Sequence, residues 1–429
     1  MTNLLKLNKN LLIQLLLILL TISFTLGNAA VNIVLLFLLI SSFNRFLDIN
    51  FIKSFFKENW IIFLFFIYIF LNSLFVNTNL DSLSIIRFFF IILIGYFTFN
   101  LISYSKIIFF STLIYSSLIS IDILITYFFN TNFFNFSNPE LYTGIFEDEQ
   151  VVGSYLSKLL IIFFGLYFFL IKEKTYFKDI KYFIVIILIS YVLALSNERR
   201  AIVDLFLSLI LLNIIFFNKK NIIISALYVA IFFSITIIDK NINPEIYKKT
   251  LLQFGLKQLQ IEETNLNKKI DDKKSDKLSD QDKFGILFEN TSFTKNQYFA
   301  MYYTSYSIWK DNILFGVGNK MYREECKKTK YAYDNEYAKI RCNTHPHNIY
   351  LQILSEFGLV GFVLFLLMIY KVIYSNLINN KKNINKIFLT LFIIFLIPLP
   401  SGNIFSSWLG SIFWLILGFL LNDTKSKYN

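Results

Sequence analysis

Apolar runs of about bilayer-crossing length recur from one end of this chain to the other, and that pattern excludes most soluble folds. A hydrocarbon core about 30 Å thick takes roughly 20 helical residues to span. A main chain inside it must satisfy its own hydrogen bonds, which helices do. Twelve runs can be marked: 11–27, 29–43, 60–76, 85–102, 107–129, 151–171, 182–195, 201–217, 222–238, 348–374, 387–399 and 404–421. The expected fold is all-α, a polytopic bundle of about twelve transmembrane helices.

Charge sets the orientation. The net charge of +12 invites a nucleic-acid reading, but only 16% of residues are charged, against about 25% in soluble proteins. The lysines fall in alternate short loops, at Lys106, at Lys172, Lys174, Lys178 and Lys181, at Lys219 and Lys220, and at Lys381, Lys382 and Lys386. That is the positive-inside pattern, so no nucleic-acid partner is expected and both termini read as internal. Residues 44–59, with Arg45, Lys53 and Lys57, read as an internal loop. Residues 130–150 hold Glu140, Glu147, Asp148 and Glu149 with no Lys or Arg, and read as external. Four regions follow. Residues 1–150 are N-terminal membrane helices, 151–238 are helices leading into and out of a turn at Arg199, 239–346 are one long external segment, and 347–429 are C-terminal membrane helices. Arg199-Arg200 breaks the charge rule, placing two cations on the side that should have few.

The long segment is uneven. Asn243-Pro244-Glu245 reads as a helix start. Residues 262–283 are a polar tract with no site. Residues 296–312 read as an aromatic helix at the membrane interface, ended by Gly316-Val317-Gly318 as a tight turn. At the segment's end stands Asn343-Thr344-His345-Pro346-His347-Asn348, which holds both histidines of the chain. Pro346 biases His345 away from helix and suits a helix's first turn. His347 and Asn348 then ride at the mouth of the following helix. A histidine there can act as a base or hydrogen-bond partner, or simply cap the helix. No Cys/His cluster has metal-site spacing and no Gly-rich phosphate loop is present, so no metal or nucleotide cofactor is expected.

Several stretches resemble the bacterial O-antigen ligase and polymerase superfamily. They are the histidine segment with Glu356-Phe357-Gly358-Leu359-Val360-Gly361; Asn312-Ile313-Leu314-Phe315-Gly316-Val317-Gly318 with Tyr322-Arg323 and Cys326; and Ser196-Asn197-Glu198-Arg199. Residues 144–149 with Gly153-Ser154-Tyr155-Leu156 look like one branch of that family. The resemblance implies an inner-membrane glycosyltransferase with its site facing the periplasm. It would move a glycan from undecaprenyl diphosphate to lipid A-core or, in the polymerases, to another lipid-linked glycan, without metal or cofactor. Membrane lipid is its surroundings. On this reading His347 and Arg199 are catalytic, the first orienting or deprotonating the acceptor hydroxyl, the second matching the family arginine. An arginine fork suits phosphate oxygens. Arg200 is an extra cation that can also pair with Asp204 one turn away. His345, Asn348 and Glu149 shape the site or meet the acceptor. A transporter is the competing class, with Asp122 and Asp204 as intramembrane carboxylates.

In one place the chain departs from the family. Many members carry Arg or His on the helix before the Gly-x-Gly turn, whereas residues 296–301 here have neither. Cys326 and Cys342 lie in the external segment, where the bacterial envelope is oxidising, so a disulfide is expected. It would bring Arg323 and Arg341 together ahead of the histidines. Arg341, or failing that Arg323, is then the expected substitute cation, and pairing with Glu324, Glu325 or Glu336 is the plain alternative.

Overall fold

The computed structural model describes residues 2–41, 48–76, 84–98, 101–129, 143–146, 151–170, 180–196, 198–217, 219–242, 297–331, 341–378, 383–406 and 408–422. Every regular element among them is helical. In chain order these are α1 (Thr2–Leu26), α2 (Asn28–Ser41), α3 (Ile49–Glu58), α4 (Trp60–Phe75), α5 (Ile86–Thr98), α6 (Leu101–Phe129), α7 (Val152–Leu170), α8 (Ile180–Leu195), α9 (Arg199–Ile215) and α10 (Lys219–Ile242). There follow α11 (Gln297–Asp311), the single turn α12 (Tyr322–Glu325), α13 (Ile349–Ile378), α14 (Asn383–Phe395) and α15 (Trp408–Asn422). The tract 262–283, the helix start at 243–245, and Glu140, Glu147, Asp148, Glu149 and Glu336 lie outside the described residues.

Two described helices, Lys106–Phe129 and Ile349–Ile378, are long and apolar enough to cross a membrane alone. Eight shorter apolar helices of 10–17 residues accompany them. A third span is formed if Ile52–Glu58 and Trp60–Phe75 are taken as one, and these meet at 86°. The internal loop read at 44–59 is thus partly the helix α3. Its Phe55 is buried while Lys53 and Lys57 stay exposed, which is what an amphipathic helix needs to lie across the bundle end.

The bundle core is aliphatic and aromatic, with Trp414, Phe65, Phe365 and Phe405 among its fully or nearly fully buried members. Outward faces carry exposed Leu, Ile and Phe, as on α13 at Leu359, Val363, Leu366 and Leu367. A helix apolar on both its packed and its exposed face suits lipid as its solvent. α5 and α15 cross backbone to backbone, since a Cβ on Gly95 would meet the Leu415 carbonyl at 2.6 Å. A small lobe stands apart from this core, with Ile308, Tyr322, Cys326 and Tyr331 buried together and Val317 and Cys342 against them.

Candidate active site

The motif fragments scattered along the sequence join in pairs. The first joint links the Arg199 turn to α7. Glu198 sits just before α9, and its two carboxylate oxygens accept the backbone N–H groups of Gly153 (2.6 Å) and Ser154 (2.8 Å). These are donors of α7's first turn, which have no partner within that helix. An anion there also suits the helix dipole. Gly153 has no side chain for a steric reason: a Cβ would lie 2.3 Å from the Ser196 hydroxyl. Burial pushes the Glu198 carboxyl up to about 7, against the pull of those two N–H donors.

Arg199 opens α9, and its side chain lies outside the described residues. Arg200 is fully engaged in the scaffold. Its Nε donates to Asp204 Oδ1 at 2.5 Å, and its two terminal nitrogens donate to the carbonyls of Ile394 (2.8 Å) and Ile397 (3.2 Å). The Ile394 carbonyl lies in the last turn of α14, where carbonyls lack helical partners. The other Asp204 oxygen takes Lys158 Nζ at 3.3 Å, deep between α7 and α9. The pairing with Asp204 is therefore the geometry found. Arg200 as a diphosphate ligand is not supported by these contacts. Lys158 escaped notice in the sequence, although a lone charge inside an apolar run was signal enough. Asp122 is also buried, beside the turn Gly144–Phe146, where a Cβ on Gly144 would meet its carboxylate at 3.0 Å.

The second joint links the Gly316 turn to α13. At Gly358 the helix breaks, with φ 65° and ψ −169°. Main-chain groups freed there pair with residues 313–318: Val317 N–H with Ser355 O, Gly318 N–H with Glu356 O, Leu359 N–H with Ile313 O and Val360 N–H with Leu314 O, at 2.8–3.2 Å. Gly316 has φ 66°, and a Cβ on either glycine would meet opposing backbone within 2.6 Å. The Gly-x-Gly stretch therefore does more than end α11. It fills a break in α13. Beneath it Glu356 is buried, its Oε2 taking Gln352 Nε2 at 3.1 Å, and Gln352 also reaches Asn403 Oδ1 at 3.0 Å.

The third joint holds the histidines. Asn348 caps α13, its Oδ1 accepting the N–H groups of Tyr350 (3.0 Å) and Leu351 (3.1 Å). His347 has φ 54°, left-handed for a non-glycine residue. It is held there by Ser401 N–H, which donates to its carbonyl at 2.7 Å. His345 Nε2 faces the Ser401 carbonyl at 3.2 Å, and its Nδ1 faces the Thr344 hydroxyl at 3.0 Å. A carbonyl only accepts, so His345 carries its proton on Nε2 and both nitrogens are satisfied. Burial and the neighbouring His347 ring push it down to about 3. Tyr350 hydroxyl adds a bond to Leu396 O at 2.5 Å.

His347 differs. Asn343 Oδ1 accepts the Thr344 N–H at 2.7 Å, which turns the Asn343 amide nitrogen towards His347 Nε2 at 3.0 Å. That nitrogen of His347 is therefore an acceptor, with the ring proton on Nδ1. Burial holds the ring below its usual 6.5, opposed by the Ser401 carbonyl. His347 is thus a neutral imidazole with a basic nitrogen capped by one exposed amide.

The corner between α14 and α15 receives all of this. Ile394 and Ile397 hold Arg200, Leu396 holds Tyr350, Ser401 holds both histidines, and Asn403 holds Gln352. The Arg200 charge also acts on the Tyr302 phenol, whose neighbour Tyr298 meets the His347 ring edge-on at 5.6 Å. The arginine turn and the histidine motif therefore stand at the same end of the bundle. In the lobe, Cys326 and Cys342 are disulfide-bonded with Cα atoms 5.3 Å apart. Arg341 Nε donates to Cys326 O at 2.9 Å and Arg323 Nε to Lys320 O at 3.3 Å. Glu324 and Glu325 pair with Lys327 and Lys328.

Among the described residues every regular element is helical, and apolar helices on this scale mark an integral membrane protein. Residues 184–366 match the family described as O-antigen ligase. That region holds the Arg199 turn, the Gly316 joint and the histidine motif. No curated protein matches the chain.

Proposed function

We propose that this protein is an O-antigen ligase-like glycosyltransferase of the bacterial inner membrane. Its donor is a glycan on undecaprenyl diphosphate and its acceptor is lipid A-core or a similar glycan, met at the periplasmic face. The observation that carries this reading is the α14–α15 corner, which binds the Arg200 turn and the histidine motif at once. A transferase must hold leaving group and acceptor against one another, and a shared strut does so.

In the proposed step the acceptor hydroxyl displaces the Asn343 amide from His347 Nε2. Its oxygen forms a bond to the anomeric carbon while the bond from that carbon to the donor phosphate breaks. The proton passes to Nε2, and the electron pair leaves with the diphosphate. Arg199 is the cation that meets this developing charge, the kind of stabilisation that dominates such steps. Arg200, Glu198 and Lys158 hold its turn in place. Asn348 fixes the helix mouth and His345 the loop. Arg341 is assigned to support of the disulfide lobe, as is Arg323, and Glu149 to the external loop surface.

Polymerase chemistry within the same superfamily is the second reading, favoured by the absence of Arg or His from residues 296–301. Deletion in the source bacterium followed by lipopolysaccharide gels separates the two. Accumulated lipid-linked polymer with bare core is the ligase result, and core bearing a single repeat unit is the polymerase result. Unchanged lipopolysaccharide and surface glycan would reject both.

A further inference from the structure

Between the arginine turn and the histidines lies a hydroxyl whose proton has no acceptor. The Tyr302 Oη is buried beside the Asn348 side chain, whose oxygen is already committed to the N–H groups of Tyr350 and Leu351, and the phenol proton is left without an acceptor. Buried hydroxyls nearly always find a partner, because an unmatched one forfeits its hydration, and an exception calls for a missing water or ligand oxygen. The surroundings indicate which. Tyr302 stands one turn after Tyr298 on α11, the two rings 6.4 Å apart. Tyr298 in turn meets His347 at 5.6 Å. On the other side Tyr302 lies within electrostatic range of Arg200 and near the Asn348 side chain. The opposite face of α11 is fastened to α13, with Ala300, Met301, Thr304 and Ser305 buried and the Ser305 hydroxyl donating to Leu351 O at 2.9 Å. The hydroxyl is therefore fixed on an arc that runs from Arg200 through Tyr302 and Tyr298 to His347.

The phenol is pushed up to about 12, chiefly by burial, so it keeps its proton at any physiological pH. It is a permanent donor beside a positive charge, and the matching ligand atom is one that only accepts. Phosphate oxygens meet that description. α11 offers no cation over residues 296–301, so a neutral donor is what this helix can present.

We propose that Tyr302 is a substrate-binding residue whose hydroxyl donates to a phosphate oxygen of the lipid diphosphate. The proposal rests on the glycosyl-transfer reading above. Sugar hydroxyls also accept, and they are the other possible source of the oxygen.

The test is Tyr302→Phe in the full-length protein, purified in detergent, with farnesyl diphosphate as the probe for binding and a reconstituted transfer assay beside it. The variant keeps the ring and loses an unmatched hydroxyl. Its thermal stability should equal or exceed that of the wild type, while farnesyl diphosphate binding weakens by roughly ten- to hundred-fold, the range for a lost hydrogen bond to a charged oxygen. Transfer should fall with a raised donor KM. Wild-type binding and wild-type transfer in the variant would overturn the proposal, and so would loss of binding accompanied by loss of stability. Intact farnesyl diphosphate binding with a raised acceptor KM would overturn the phosphate assignment in favour of a sugar hydroxyl. Failure of the broader reading shows elsewhere, in wild-type protein that transfers no glycan whatever it binds.

Discussion

His347 holds a backbone conformation that L-residues rarely adopt, and such residues gather where geometry matters more than local comfort. Its basic nitrogen is kept neutral by burial, so the group that accepts a proton is present at pH 7. Removing it by His347→Ala should lower transfer by about 10²–10⁴-fold, the range for a lost general base, while the protein still inserts. The pH dependence has a definite sign. Because the ring is held below 6.5, activity should stay level as pH falls from 8 to 6.5 and decline only further into acid. A midpoint above 6.5, removed by His347→Gln, would assign the proton to a ring stabilised in its charged form. His345 sets the stability of the same loop. Its folded value of about 3 lies below the usual 6.5, so the unfolded loop binds more protons between those values. Stability of the loop should therefore be lost progressively as pH falls from 6.5 towards 3. Hydrogen exchange at residues 343–352 reads this directly, and His345→Asn should flatten the dependence.

At the scale of elements the three joints differ in what would break them. The α7–α9 joint is ionic. Asp204→Asn leaves Lys158 and Arg200 without their shared anion, and removing one partner from such a buried group costs about 3–5 kcal/mol. Arg200→Lys keeps the charge but cannot bridge Asp204 and two carbonyls together. It should lower kcat with little change in donor KM, whereas a true diphosphate ligand would raise KM. The α13 joint is steric. Gly358→Ala adds a Cβ 2.3 Å from the Leu314 carbonyl oxygen in a left-handed residue, so thermal unfolding in detergent should show a loss of several kcal/mol. The lobe is covalent. Its disulfide closes a separation of 16 residues, and Cys326→Ser should cost on the order of 3 kcal/mol. The loss should be confined to protease resistance in the lobe, with α13 and α14 unaffected.

For the whole molecule, placement of the Arg200 turn and the histidines at one bundle end makes a prediction about sidedness. In a background without Cys326 and Cys342, single cysteines at Lys327 and Ser401 should both react with a membrane-impermeant maleimide from the outside, and one at Lys57 should not. Opposite labelling of Lys327 and Ser401 would break the site apart. The spacing of apolar runs makes the helical class legible in the sequence, and the two histidines are legible because no others compete with them. The rest depends on groups that a sequence does not display. Ser401, Leu396, Ile394 and Ile397 contribute main-chain atoms, which every residue has. Lys158 is visible as a charge, but its partner Asp204 is 46 residues away and on another helix. Gly316 reads as a turn because its counterpart Gly358 lies inside what looks like one unbroken apolar run. α3 reads as a loop because its lysines conceal Phe55 on the other face.

The four bonds that join 313–318 to 355–360 run from main chain to main chain, and the Tyr68 hydroxyl and Asn72 amide of α4 brace them at the Phe357 and Phe315 carbonyls. Side chains along 313–315 and 359–360 face outwards and contribute nothing to those bonds. Such a seam is indifferent to its own outward side chains and intolerant of change at its two glycines. Lineages facing a different surface sugar could therefore recolour those outward side chains freely, and the frame would survive the change as long as both glycines and their two braces did.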